Sequence, residues 1–297
     1  MTSLVKLLLP AVVICSLNLT SCSKNAASSL GSNGNNLITF AVTLSASPTL
    51  GNYLVDKDGY TLYSFADDFQ GNSNCTGDCA ALWPYFYAGS LTQANLGNGL
   101  LFSDFGTVQN GSVTQTTYKG WPLYYYAPSV TDGYGGSSNV REAPGLTSGD
   151  GFKGIWFVAK PDYSLMVAEG QLLGSDGVNY NSNYTPGSGK TIYFTDPNGK
   201  TLYNYSHDNA GVNSFTVADF SNNILWPVYE TTKLVVPSSV NKSLLSTLTV
   251  FGHSQLVYNG WPLYLYGGDF IMGSNLGVSV TSPGTWKVPG YVTSPAP

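Results

Sequence analysis

Gly59-Tyr60-Thr61-Leu62-Tyr63-Ser64-Phe65-Ala66-Asp67-Asp68 returns 140 residues later as Gly199-Lys200-Thr201-Leu202-Tyr203-Asn204-Tyr205-Ser206-His207-Asp208. Between and beyond these stretches lie Gly120-Trp121-Pro122-Leu123-Tyr124-Tyr125-Tyr126 and Gly260-Trp261-Pro262-Leu263-Tyr264-Leu265-Tyr266, the second ending at Asp269. The four glycines stand 61, 79 and 61 residues apart, so one unit occurs twice and each unit holds two related halves. Self-similarity at a fixed period marks a repeat architecture. Trp83-Pro84 and Trp226-Pro227 recur at nearly the same offset.

Each half-unit reads as strand, turn, strand. Tyr53-Leu54-Val55 leads into Asp56-Lys57-Asp58-Gly59, and Ile192-Tyr193-Phe194-Thr195 into Asp196-Pro197-Asn198-Gly199. Acid or Asn followed by Gly is turn chemistry, with glycine supplying the positive φ. Tyr118-Lys119-Gly120 and Tyr258-Asn259-Gly260 make the corresponding turns in the other halves. In the outgoing strand Tyr63 and Phe65 point to one face, Leu62 and Ser64 to the other. Helical periodicity is weak, and only the stretch from Cys79 to Leu82 and residues 239–246 suit a turn or two of helix. The fold class is therefore all-β: two tandem homologous antiparallel meander modules, 41–170 and 171–297. Closure as a sandwich, a barrel or a propeller is not set by the periodicity.

The N-terminus reads differently. Lys6 precedes an apolar run from Leu7 to Leu17, interrupted by Pro10 and Ser16. That run is too short to span a bilayer, which takes about 20 residues, and has the length of a signal-peptide core. Leu19-Thr20-Ser21-Cys22 follows and resembles the lipobox of bacterial lipoprotein precursors. Residues 1–21 are thus expected to be a signal peptide, and Cys22 the lipidation site, carrying acyl chains such as palmitate. Two or more buried chains, at about 0.8 kcal/mol per CH₂, hold firmly to a membrane. Residues 22–40, small and polar over most of their length, read as the lipidated cysteine and a flexible tether. Ser23, in place of the Asp that resembles an inner-membrane retention signal, favours the outer membrane, periplasmic or extracellular face left open.

Composition bounds the rest. Charged residues make up 10% of the chain, against about a quarter in an average soluble domain. Ser, Thr, Asn and Gly supply the polar surface, and 13 Phe, 6 Trp and 21 Tyr favour strands. With a formal charge of −5 and no basic run, nothing would neutralise a phosphate backbone, so nucleic acid is excluded as a partner.

At the duplicated motifs the chain resembles the secreted-repeat bacterial lipoproteins, a family of unknown function marked by Y-x-[FWY]-x-x-D. The matching residues are Tyr63, Phe65 and Asp68; Tyr203, Tyr205 and Asp208; and Tyr264, Tyr266 and Asp269. The fourth half-unit departs from the pattern, since Ser129 stands where Asp is expected after Tyr124 and Tyr126. The family also carries C-x-x-x-C ahead of Trp-Pro, matched by Cys75, Cys79, Trp83 and Pro84, whereas the second copy has Phe215 and Phe220 in that neighbourhood. The resemblance implies a cell-envelope lipoprotein and names no activity.

Cys75 and Cys79 face an export compartment in which disulfides persist. A structural disulfide is the first expectation, with a redox couple or a metal site as alternatives. The motif carboxylates are expected to cap turns, calcium being the other reading, with oxygens from Asp56, Asp58, Asp67 and Asp68. Alternating aromatics are expected to pack across strands; Trp121 and Trp261, beside prolines at turns, are the candidate ligand-contacting residues of a sugar platform. His207 and His253 fall at non-equivalent positions, and no Gly-x-Ser-x-Gly, His-Glu-x-x-His or phosphate-binding loop occurs. No catalytic residue, resident metal or cofactor is assigned. The expected function is a lipid-anchored envelope module that binds or scaffolds, its partner an envelope protein or a glycan; the alternatives are a glycan-binding surface lipoprotein and a redox or metal-binding envelope protein.

Overall fold

The structure is a computed structural model that describes residues 40–131 and 136–297. The expected signal peptide, Cys22 and all but the last residue of the expected tether lie outside the described residues. Those described form one compact unit.

The fold is nearly all β. Among the described residues the strands form small sheets of two or three, and every strand pair is antiparallel. The one α-helix among the described residues, Asp78–Leu82, falls where a helical turn was expected. Lys242–Leu244 adds a short 3₁₀ turn within 239–246.

The turns form as their side chains dictate. Asp56 Oδ1 accepts from the amides of Asp58 and Tyr60, both at 2.9 Å, and Gly59 sits at φ 85°. Asp196 Oδ1 accepts from Asn198 and Lys200, both at 2.8 Å, with Gly199 at φ 79°. Lys119-Gly120 and Asn259-Gly260 both carry positive φ at two successive residues, the geometry that joins twisted antiparallel strands in two residues. They connect Val113–Tyr118 to Trp121–Pro122 and His253–Tyr258 to Trp261–Pro262.

Strand alternation places two apolar layers in each repeat. In the first, Leu62 packs with Leu54, Phe86, Leu96 and Leu123, while Tyr63 and Phe65 pack on the opposite side with Trp83, Tyr124 and Trp156. In the second, Leu202 joins Phe194, Leu256 and Leu263, and Tyr203 joins Trp226, Tyr264 and Trp286. The outgoing strand is closed by a distant one: Tyr63–Phe65 pairs with Trp156–Val158, and Asn204–Tyr205 with Trp286–Lys287.

The two repeats differ in what they add. The first carries the exposed hairpin of Ser129–Thr131 and Ser137–Asn139. The second inserts a longer excursion that includes Asn179–Tyr180 between the strands Met166–Leu173 and Lys190–Thr195. Met166–Leu173 runs across the boundary read at 170, and it pairs with the second repeat in the way Val42–Ser47 pairs within the first.

Candidate functional site

The tyrosine–aspartate motifs are latches between the halves of each repeat. Tyr63 and Tyr124 exchange both backbone hydrogen bonds at 2.9 Å, and Tyr203 and Tyr264 do so at 2.8 Å. Each tyrosine hydroxyl then donates to the carboxylate belonging to its sister half. Tyr124 donates to Asp68 at 2.5 Å, Tyr264 to Asp208 at 2.8 Å and Tyr203 to Asp269 at 2.6 Å. The second carboxylate oxygen accepts a downstream amide: Asn74 on Asp68, Ser214 on Asp208 and Leu276 on Asp269. The half-unit that lacks its aspartate keeps the latch with another residue. Glu142 accepts from Tyr63, and its other oxygen takes the amide of Ser148 at 2.8 Å.

These carboxyls are enclosed. Burial pushes Asp68 and Asp269 up to about 7 and raises Asp208, against the lowering effect of the hydrogen bonds they accept. Burial raises the phenols of Tyr63, Tyr124 and Tyr264 as well. Asp68, Asp208 and Asp269 are thus sealed under separate turns. Among the described residues, no group of three or more His, Cys, Asp or Glu side chains is placed to hold a metal ion.

The remaining motif aromatics build a matched stack in each repeat. Trp83 lies on Trp156 with ring centres 3.8 Å apart and planes 2° apart; Trp226 lies on Trp286 at 3.5 Å and 9°. Phe65 stacks on the free face of Trp156, and Tyr205 packs against Trp286. Tyr126 and Tyr266 tilt against Trp83 and Trp226, each at 4.6 Å. The second Trp of each pair had a signal in the chain, the run Gly154-Ile155-Trp156-Phe157-Val158 and its echo Gly284-Thr285-Trp286-Lys287-Val288.

Cys75 and Cys79 are joined as a disulfide, which ties the start of the Asp78–Leu82 helix to the loop before it. Phe215 takes the place of Cys75 in the second repeat, packing on Tyr205, Tyr264 and Trp286. Phe220 lies beside Phe251 and His253. His253 also pairs with Glu230 at the exposed surface, and His207 rests against Tyr205.

Trp121 and Trp261 are equivalent in the chain and unlike in their surroundings. Trp121 is 2% exposed and packs into the cluster that holds Met166, Tyr193 and Tyr203, its indole donating to the carbonyl of Pro197 at 3.1 Å. The turn of the second repeat therefore covers this face of the first, leaving a void of about 20 Å³ beside Ser64. Trp261 is only partly buried and donates to the carbonyl of Ser294 at 2.8 Å. It lines an open groove of about 650 Å³ with Tyr184, Thr191, Asn204 and Lys287. Of the two tryptophans, Trp261 alone borders open space, and the groove residues Asn204 and Lys287 fall at the variable positions of their motifs, where the first repeat has Ser64 and Phe157.

Among the described residues, no helix is long and apolar enough to cross a membrane. Comparison with curated proteins and with solved structures gives no match. A family model described as a secreted repeat of unknown function matches residues 45–86. That stretch contains the Asp56–Gly59 turn, Tyr63, Phe65, Asp68, both disulfide cysteines and Trp83, and through it the chain carries the secreted repeat of unknown function.

Proposed function

We propose that this chain is a lipid-anchored protein of the cell envelope, preferentially the outer membrane, that works by binding and not by catalysis. Export presents the Cys22 thiol to diacylglycerol, cleavage before Cys22 frees its α-amine for a further acyl chain, and the polar tether lets the repeat body stand off the membrane. The observation that carries the binding role is the contrast between equivalent faces. The Trp121 face is filled by the neighbouring repeat, whereas the Trp261 face opens as a groove. The family's description as secreted supports a location outside the cytoplasm. The motif carboxylates hold the halves together and leave no free acid–base pair among themselves, which favours a binding surface over a hydrolytic site. The partner is an envelope protein or a glycan.

Intact mass spectrometry of the protein from the envelope fraction tests the anchor. The expected result is a chain beginning at Cys22 with diacylglyceryl and acyl additions, and release of Cys22→Ser into the soluble fraction. An unmodified thiol at Cys22 in membrane-extracted protein overturns it. Crosslinking in intact cells tests the binding role: an adduct lost on Trp261→Ala supports it, and a crosslinking pattern unchanged by Trp261→Ala refutes the groove as its seat.

A further inference from the structure

The groove on the second repeat carries more information than its openness. In the first repeat the equivalent face is an interface, and Ala66, Phe69 and Phe157 are the apolar side chains it buries. Phe69 lies so close over Gly170 that a Cβ there would meet its ring at 2.3 Å. The counterparts in the second repeat are Ser206, Asn209 and Lys287. Docking another repeat here would bury an ammonium group and a carboxamide that lack partners on that face, which is unfavourable. The face is polar where its counterpart in the first repeat is apolar.

One polar side chain in the groove is nevertheless short of partners. Asn204 is 2% exposed, and its carboxamide takes no hydrogen bond from another described residue. Buried polar groups are nearly always paired, so a ligand rich in hydroxyls suits it: a carboxamide offers two donors and an acceptor to one sugar edge. Trp261 supplies a flat apolar ring beside it, and among the described residues Lys287 is the one charged side chain lining the groove.

We infer that this groove binds a saccharide bearing a carboxylate, with a sugar face on Trp261, hydroxyls on Asn204, and the acid on Lys287. The inference rests on the binding role proposed above and assigns the ligand's chemistry. Few concave sites need more than such a small set of placed polar groups against an aromatic wall to fix a ligand's orientation.

Calorimetric titration of the mature lipidated protein in detergent micelles tests it, with oligogalacturonate, oligomannuronate and hyaluronan fragments as acidic probes and galacto-oligosaccharide as the neutral one. Saturable binding of at least one acidic probe is expected, weakened about tenfold in Lys287→Gln, the loss of one charged contact, and abolished in Trp261→Ala. Both variants are expected to keep the wild-type melting temperature, so lost binding is not lost folding. The exposed variant Lys57→Gln, far along the chain in the first repeat, is expected to bind as the wild type. Failure of all three acidic probes overturns the inference, as does binding that survives Trp261→Ala. Equal affinity for the neutral oligomer also overturns it, because the groove then does not read the acid. A self-association that Trp261→Ala dissolves, without sugar binding, gives the face to a second copy and also overturns it. None of these failures touches the lipid anchor, which mass spectrometry reads independently.

Discussion

Inside, the two repeats are chemically near-copies; outside, the second has exchanged apolar for polar. Tyr124 on Asp68 is repeated by Tyr264 on Asp208, and Trp83 on Trp156 by Trp226 on Trp286. At the shared face, Ala66, Phe69 and Phe157 of the first repeat give way to Ser206, Asn209 and Lys287. The interior is constrained by the latch and the stack, so its residues persist as a set. The face is constrained only by what lies against it, and there the first repeat has a neighbour and the second has solvent. Where an interior position did change, the change is compensated: Glu142 replaces a missing aspartate, and Phe215 fills the volume of a missing half-cystine.

The largest effects test the shared interior. Trp83→Ala and Trp226→Ala each remove a fully enclosed ring from a stacked pair. Each is expected to cost about 3–5 kcal/mol in urea unfolding. Near-equal losses are what matching interiors require, and a loss confined to one repeat would break the equivalence.

The latches come next. Glu142→Ala and Asp269→Ala each strand a buried tyrosine hydroxyl and an amide, for about 1–3 kcal/mol apiece. Equal costs would establish that Glu142 stands in for the motif aspartate, and a negligible cost at Glu142 would refute it. Acidity separates the native carboxyls from unfolded ones. With Asp68 and Asp269 raised to about 7 from an ordinary 3.8, the folded chain keeps protons that the unfolded chain has already released between those values. Their contribution to stability is therefore full below about pH 4, falls as pH rises toward 7 and levels above it, by on the order of 4 kcal/mol for each carboxyl. Asp208, also raised, acts in the same direction. Urea midpoints at pH 5 and pH 8 measure the difference, and a higher midpoint at pH 8 contradicts the sign.

Cys75→Ser with Cys79→Ser opens a loop with a sequence separation of 4, worth about 2 kcal/mol on a chain-entropy account. Because Phe215 shows that packing alone can serve at this place, the double variant is expected to fold, with a lowered melting temperature. Complete failure to fold would mean that the first repeat depends on the bond in a way the second does not.

The fold was legible because duplicated, local signals produce it. Asp-x-x-Gly turns, Tyr-Lys-Gly and Tyr-Asn-Gly hairpins and period-2 aromatics specify geometry within a few residues, and each appears twice. The distant strand that closes each repeat was not foreseen from those signals. Trp156 and Trp286 meet Phe65 and Tyr205 across 91 and 81 positions, and only the Gly-x-Trp-x-Val echo hinted at them. Glu142 escaped because the latch is a contact in space, so a carboxylate 13 places beyond Ser129 serves as well as one in register. Trp121 and Trp261 looked alike as candidate ligand contacts, since local sequence does not say which copy has a neighbour.

The smallest effect is expected at the groove. Trp121→Ala removes a ring that is 2% exposed and bonded to Pro197, so it belongs with the large core losses. Trp261→Ala trims a part-exposed ring whose one hydrogen bond reaches the carbonyl of Ser294, and it is expected to change unfolding free energy by less than about 1 kcal/mol. Thermal melts of the two single variants, run side by side, measure that asymmetry. Comparable losses would mean that Ser294 and the residues around it seal Trp261 as firmly as the second repeat seals Trp121, and the groove would then be too closed to receive a ligand. A large loss at Trp121 alone leaves Trp261 as an aromatic side chain that folding does not require, held at the mouth of the one face where the two repeats part company.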